Sequence, residues 1–116
     1  LKYIKTYQNV VEPDFCKHLI TKFEVDSQNH EKLSDNDMSF TQLNMFNQGT
    51  YKSWEQQIRI LQQCFIKHLT IYKKECNIIP TQWPEKYGFE AFKIKKYVKD
   101  KKGESVSKIM KDLEFV

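Results

Sequence analysis

The sequence predicts an α+β fold with two helices, at least three strands and a short helical tail. Two apolar stripes at helical spacing predict the helices, and three short segments with alternating or mixed apolar residues between turn signals predict the strands. The chain has 116 residues, of which 40% are apolar and 14% aromatic, so it suits one compact domain with a modest core.

The first predicted element is a short strand from Tyr3 to Gln8, where side chains alternate in character. A helix follows, because Pro13 between acidic neighbours suits a first helical position at the positive end of the helix dipole. Four apolar residues at helical spacing extend it to about Val25: Phe15, Leu19, Ile20 and Phe23. The polar stretch from Asp26 to Asp37 is predicted to be a loop.

Met38 to Phe46 is predicted to be a strand, with a bulge where its apolar residues change face. The strongest periodic signal comes next and keeps one stripe on one helix face: Trp54, Ile58, Leu61, Phe65, Leu69, Tyr72 and Cys76. This helix is about 35–40 Å long and needs a broad partner surface such as a sheet. Pro80 and Pro84 are predicted to end it and to enforce an extended linker.

The last third of the chain contains one more predicted strand, Phe89 to Val98, in which apolar residues lie among lysines. A turn is predicted from Asp100 to Gly103. The tail after it is predicted to be helical, because four apolar residues follow the i, i+3, i+4, i+7 pattern: Val106, Ile109, Met110 and Leu113.

Charge and cysteine content suggest the environment of the protein. The net charge is +4, and its surplus lies late in the chain: Lys93, Lys95, Lys96, Lys99, Lys101 and Lys102. Such a cluster attracts nucleic acid or an anionic ligand, although a solvated strand edge and turn is the favoured interpretation. The three cysteines form no CxxC pair, and Cys64 and Cys76, within or beside an apolar helical pattern, are interpreted as buried thiols, which predicts a reducing, cytoplasmic location. No apolar run approaches the ~20 residues of a membrane span, and no signal peptide is recognised.

Short motifs give no catalytic or metal-ligating residue. His18, His30 and His68 are not in HxD, HxxxH or HExxH spacing, so a metal site would have to be assembled from separated residues. No nucleophile elbow, P-loop or GxGxxG is present. Nothing points to a Ser or Cys nucleophile with a paired base.

Several stretches are similar to the N-terminal part of iron(II)/2-oxoglutarate oxygenases of the prolyl 4-hydroxylase-like family, known from viruses and bacteria. These stretches are YIKTYQNVVEPDFCKHLITKFE, MSFTQLNMF, WEQQIRILQQCFIKHLTIYKKE and PEKYGFEAFKIKKY. The most specific is YGFEAFKIKKY, which resembles the strand that leads to the metal motif of that family. The resemblance covers residues 3 to 98, and it divides the chain into an oxygenase-like segment (1–98) and a divergent helical tail (99–116).

The resemblance implies a partial antiparallel sheet buttressed by helices, as in the N-terminal part of a double-stranded β-helix, or jelly roll. It also implies a role for Tyr97. The tyrosine that ends the corresponding strand in the family commonly hydrogen-bonds the 2-oxoglutarate carboxylate, so Tyr97 is the candidate cofactor-binding residue; packing at a strand end is the alternative role.

The residues after Tyr97 depart from the family pattern. Roughly ten residues after that tyrosine the family has His-x-Asp and, much later, a second histidine, which together leave open positions on the iron. Here the stretch is KDKKGESVSKIMKDLEFV and contains no histidine. The resemblance thus implies Fe(II) and 2-oxoglutarate as family cofactors, with a chain that is inactive as given because its iron ligands are missing.

Three explanations are open: a truncated or interrupted gene product, one part of a longer protein, or a small protein with another use. The first is favoured, and it predicts self-association or marginal stability through exposed strand edges. The alternative function is a non-enzymatic interaction module, in which Phe89, Phe92 and Tyr97 stack on single-stranded nucleic acid. A strand with one buried face gives the same pattern, so this alternative is favoured less. The substrate does not follow from the sequence.

Overall fold

The computed structural model describes residues 3–35, 38–99, 106–109 and 114–115, and it confirms the α+β class. The elements follow in the order α1 (Pro13–Val25), β1 (Glu31–Asp35), β2 (Met38–Asn44), α2 (Tyr51–Glu75), β3 (Phe92–Lys99), β4 (Val106–Ile109) and β5 (Glu114–Phe115). Short 3-10 turns lie at Ser27–Asn29 and Pro80–Gln82. The two helices therefore have the positions that the apolar periodicity predicts.

The sheet is antiparallel and has β3 near its centre. The strand order is β1-β2-β3-β4, and β5 also pairs with β3. The pairing of β2 with β3 runs from Phe40 opposite Tyr97 to Asn44 opposite Lys93 without a skipped residue. The prediction of a bulge in β2 is therefore wrong. The apolar residues of this strand lie on both of its faces because both faces make contacts.

The helices cover one face of the sheet and form the core with it. Nine mutually packed side chains are almost completely buried there: Leu19, Phe23, Leu43, Met45, Trp54, Ile58, Leu61, Phe92 and Ile94. They come from both helices, from the β2 region and from β3. Since burial of one large apolar side chain contributes about 1.5–3 kcal/mol, this cluster is the main source of stability.

Three sequence-based expectations about strands are wrong. Residues 3–8 form no strand but an irregular segment along α2, where the Tyr72 hydroxyl donates to the Tyr3 carbonyl oxygen at 2.7 Å. The predicted loop after α1 contains β1, which is polar but pairs fully with β2. The tail is not helical where it is described, because Val106–Ile109 and Glu114–Phe115 are strands paired with β3. The turn predicted at 100–103 lies outside the described residues.

The end of α2 also differs from expectation. The helix ends at Glu75, before Pro80, and Asn77 follows in the left-handed region with φ of 52°. The amide of Ile78 donates to the Lys73 carbonyl oxygen at 2.8 Å, which closes the last turn. The prolines therefore shape the segment after the helix rather than stop it.

Candidate functional site

The candidate site is the face of the sheet that the helices leave uncovered, and we call it the open face. Side chains alternate along a strand. Phe92 and Ile94 of β3 lie in the core, and Lys96 reaches Glu24 of α1 at 2.8 Å. The residues between them and their register partners on β2 and β1 therefore form the open face: Glu31, Leu33, Phe40, Gln42, Asn44, Lys93, Lys95 and Tyr97. On the other side of β3 the register places Lys108 of β4 opposite Tyr97 and Glu114 of β5 opposite Lys93.

Tyr97 is held on the open face by an aromatic neighbour. Its ring centroid lies 5.1 Å from that of Phe40, which is directly opposite in the register, and the two planes are tilted by 32°. The ammonium group of Lys95 lies 5.5 Å from the centroid of the Phe40 ring. A phenol hydroxyl and a lysine ammonium on the same face of one strand suit a carboxylate, since both donate hydrogen bonds and one carries positive charge.

The β1 side of the open face carries a negative charge. Glu31 of β1 accepts hydrogen bonds from the side-chain amides of Gln42 at 3.4 Å and Asn47 at 3.2 Å. Gln42 is only 7% exposed although it faces away from the helices, so its neighbours cover it. The cationic side chains of the open face are therefore on β3, and an anion is favoured there rather than on β1.

Each histidine has a separate structural partner. His18 pairs with the Gln57 amide at 3.0 Å, His30 with the Phe23 carbonyl oxygen at 2.7 Å, and His68 with the Cys64 carbonyl oxygen at 2.9 Å. Within the described ranges no three His, Cys, Asp or Glu side chains are grouped closely enough to hold a metal ion. The described residues thus do not fit the three-ligand set that iron requires in the family that the sequence resembles.

The structure changes the aromatic set that the sequence suggested for stacking on nucleic acid. Phe92 is fully buried in the core, and Phe89 packs edge-on against Phe65 with centroids 5.2 Å apart. Only Tyr97 of the original three lies on the open face. Its partner Phe40 was missed, because pairing of β2 with β3 across about fifty residues is not visible in either segment alone.

The remaining sequence-based expectations concern cysteines and membranes. Cys16, Cys64 and Cys76 all lie in the described part, and none forms a disulfide. Cys76 is buried as predicted, whereas Cys64 is only half-buried, because it lies in the part of α2 that extends beyond the closed core. No helix among the described residues is long and apolar enough to cross a membrane. Comparison of the chain with protein-family models, with curated proteins and with solved structures gives no match.

Proposed function

We propose that this chain is the helix-backed N-terminal portion of an iron(II)/2-oxoglutarate oxygenase of the prolyl 4-hydroxylase type, and that it is catalytically silent as given. The observation that carries the proposal is the position of Tyr97. The resemblance assigns this residue to the 2-oxoglutarate carboxylate, and its strand presents it on the open face, beside Lys95 and away from both helices.

The difference in composition between the two faces of the sheet supports the proposal. In a jelly roll two sheets pack face to face, so a sheet that is backed by helices on one side has its other side turned toward the second sheet and any enclosed ligand. Here α1 and α2 bury Leu43, Phe92 and Ile94 on one side. The other side retains a phenol and lysines, which are groups that bind a dicarboxylate.

The proposal assigns these residues to binding and not to oxygen chemistry. Tyr97 would donate its hydroxyl hydrogen to a carboxylate oxygen, and the ammonium groups of Lys93 and Lys95 would balance the charge of the dianion. Phe40 would fix the ring of Tyr97 through their contact at 5.1 Å. The described residues provide no iron site, so no step of oxygen activation is assigned to them.

Titration with 2-oxoglutarate tests the binding part of the proposal. We expect millimolar binding that shifts the NMR amide signals of residues 93–97 and of Phe40. Tyr97→Phe should weaken binding about tenfold or more, since a hydrogen bond to a charged group contributes about 1.5–3 kcal/mol. Tyr51→Phe is the matched control, because this tyrosine is 43% exposed at the start of α2. Equal affinity of the two variants would contradict the role of Tyr97.

The nucleotide sequence after the Val116 codon tests the lineage independently. We expect His-x-Asp and a more distant histidine to be encoded there, in the same or another frame or beyond an insertion. Their absence from all frames would remove the oxygenase assignment even if 2-oxoglutarate bound.

The alternative is the interaction module that binds single-stranded nucleic acid, now through Phe40 and Tyr97. Their adjacent rings and Lys95 resemble a stacking platform with a nearby cation. Binding of oligonucleotides across salt concentration separates the two proposals. Affinity that falls steeply with added salt and disappears in Tyr97→Ala supports the module; salt-independent affinity excludes phosphate contacts.

A further inference from the structure

A groove lies at the C-terminal end of α2, formed where the chain turns back after the helix. The left-handed Asn77 reverses the chain, and the amide of Ile79 donates to the side-chain oxygen of Gln82 at 3.0 Å across the following 3-10 turn. These local bonds hold the segment from Ile78 to Glu85 against Lys73 on the last turn of α2. The groove is open to solvent and has a volume of about 590 Å³. This volume is within the range of about 300–1,000 Å³ that small-molecule sites occupy.

Two aromatic rings hold the ammonium group of Lys73 in place beside this groove. It lies 4.3 Å from the ring centroid of Trp83 and 5.5 Å from that of Tyr87. The two rings are nearly perpendicular, with an interplanar angle of 88° and centroids 6.1 Å apart. Both rings therefore attract the same cation, which fixes a side chain that is otherwise mobile in water.

Two hydrogen-bond donors at this place, on Lys73 and Trp83, have no acceptor among the described residues. Among the described residues Lys73 makes no ion pair, so its contacts with the two rings leave its N–H groups available. The indole N–H of Trp83 is buried and has no acceptor. An ammonium and an indole N–H both require an acceptor, and a carboxylate satisfies the first with charge as well as hydrogen bonds.

The rest of the groove is mainly apolar and suits a hydrocarbon body. Ile78, Ile79, Pro80 and Pro84 line it, and Ile79 is 55% exposed. The other charged group in the lining is Glu85, which repels an anion. A bound carboxylate is therefore directed to Lys73, with its apolar chain along the isoleucines and prolines.

We propose that this groove binds a small carboxylic acid with an apolar body, in which the carboxylate pairs with Lys73 and the body covers Ile78, Ile79 and Pro80. The site uses no residue of the open face. It is therefore independent of the oxygenase proposal, and either can fail without the other.

Titration with octanoate tests the proposal by NMR, because the chain has two tryptophans and so two indole N–H signals. We expect octanoate to shift the Trp83 signal and to leave that of Trp54, which is fully buried in the core, unchanged. Octanamide keeps the body without the charge and should bind at least about tenfold more weakly, since an ion pair is lost. Acetate keeps the charge without the body and should not shift the Trp83 signal at the same concentrations.

Two variants locate the carboxylate. Lys73→Met keeps an unbranched side chain over the rings and should weaken octanoate binding about tenfold or more. Lys74→Met removes the neighbouring exposed charge from the same helix end and should leave the affinity unchanged. An unchanged amide spectrum elsewhere shows that each variant is folded. Glu85→Gln removes the negative charge from the lining and should raise the affinity for octanoate, which is the opposite change from that expected of Lys73→Met.

Several outcomes would overturn the proposal: no shift of the Trp83 signal at millimolar octanoate, equal binding of octanamide, or equal affinity in Lys73→Met. Octylammonium provides the opposite-charge probe. If it binds more tightly than octanoate by displacing Lys73 from the rings, the groove is a cation site and the proposed ligand class is wrong.

Discussion

The two halves of α2 carry the same apolar stripe but differ in burial. In the first half Trp54, Ile58 and Leu61 are at most 1% exposed and pack on the sheet. In the second half the stripe continues through Phe65 and Leu69, yet both are only half-buried. Periodicity thus gives the direction in which a helix face points, whereas the partner surface decides how completely that face is buried.

The difference has a geometric cause. A helix of 25 residues is about 37 Å long, whereas the longest strand, β3, has 8 residues and is about 26 Å long. The second half of α2 therefore extends past the sheet. Loops and the irregular N-terminal segment cover it instead, through contacts such as Phe65 with Phe89 and Tyr7 with His68, whose ring centroids lie 5.2 and 5.6 Å apart.

The largest expected effect comes from truncating one leucine in each half. Leu61→Ala should lower the free energy of unfolding by about 2–5 kcal/mol, because it leaves a cavity in the closed core. Leu69→Ala should lower the free energy of unfolding by clearly less, since water and neighbouring side chains can fill the space around a half-buried side chain. Urea unfolding of both variants measures the difference. Equal losses would show that the second half is as tightly packed as the first.

A smaller effect is expected where polar contacts fix the first half of α2. The carboxylate of Asp26, just after α1, accepts a hydrogen bond from the indole N–H of Trp54 at 2.8 Å and bonds from Asn29 at 2.8 and 3.0 Å. Asp26→Ala leaves the buried indole N–H without an acceptor and should cost about 1–3 kcal/mol. Asp26→Asn retains an acceptor and should preserve most of the stability. If the two variants unfold at the same urea concentration, the indole bond contributes little.

The smallest effect is expected at the end of the second half. Burial raises the pKa of Tyr72 above its usual value of 10.0, and its hydroxyl donates to the Tyr3 carbonyl oxygen at 2.7 Å. The neutral phenol is therefore favoured in the folded state. Its stabilising contribution is complete below about pH 10, the pKa in the unfolded chain, and is lost as pH rises through the higher folded pKa.

Urea midpoints measured between pH 8 and 11 test this, with Tyr72→Phe as the comparison. The urea midpoint of the wild type should exceed that of Tyr72→Phe slightly at pH 8, and this difference should shrink as pH rises. Tyr7 also has a raised pKa, through burial, the nearby Glu75 and, to a smaller extent, Tyr72 itself, so both proteins should carry Tyr7→Phe to leave the Tyr72 phenol as the only difference. A constant difference across this range would contradict a role for the Tyr72 phenol.

The sequence predicts the helices well and the strands unevenly, for physical reasons. Pro13 and the regular apolar spacing specify α1 and α2 locally. By contrast, β1 has Leu33 as its only apolar residue and is a strand because β2 pairs with it. Residues 3–8 alternate like a strand but have no partner in a sheet. In the tail, four apolar positions suggested a helix, but pairing with β3 overrides that pattern where the chain is described.

The same limit applies to the sites. Tyr97 was predicted from one segment, through the resemblance of YGFEAFKIKKY to a strand of the oxygenase family. Its neighbour Phe40 and the groove formed by Lys73, Trp83 and Tyr87 depend on contacts between segments. In the groove the chain reversal at Asn77 brings Trp83 and Tyr87 next to Lys73. An asparagine after a polar helix end does not by itself predict such a reversal.

The pairing of β2 with β3 has a consequence for the order of folding. These strands are neighbours in the sheet, yet all of α2 lies between them in the chain, so their association closes a loop of about fifty residues. During synthesis the hairpin of β1 and β2 emerges first, and the β2 edge stays unpaired until β3 leaves the ribosome. That interval is when the nascent chain is most exposed to aggregation, and a chaperone that shields a strand edge would act on it then.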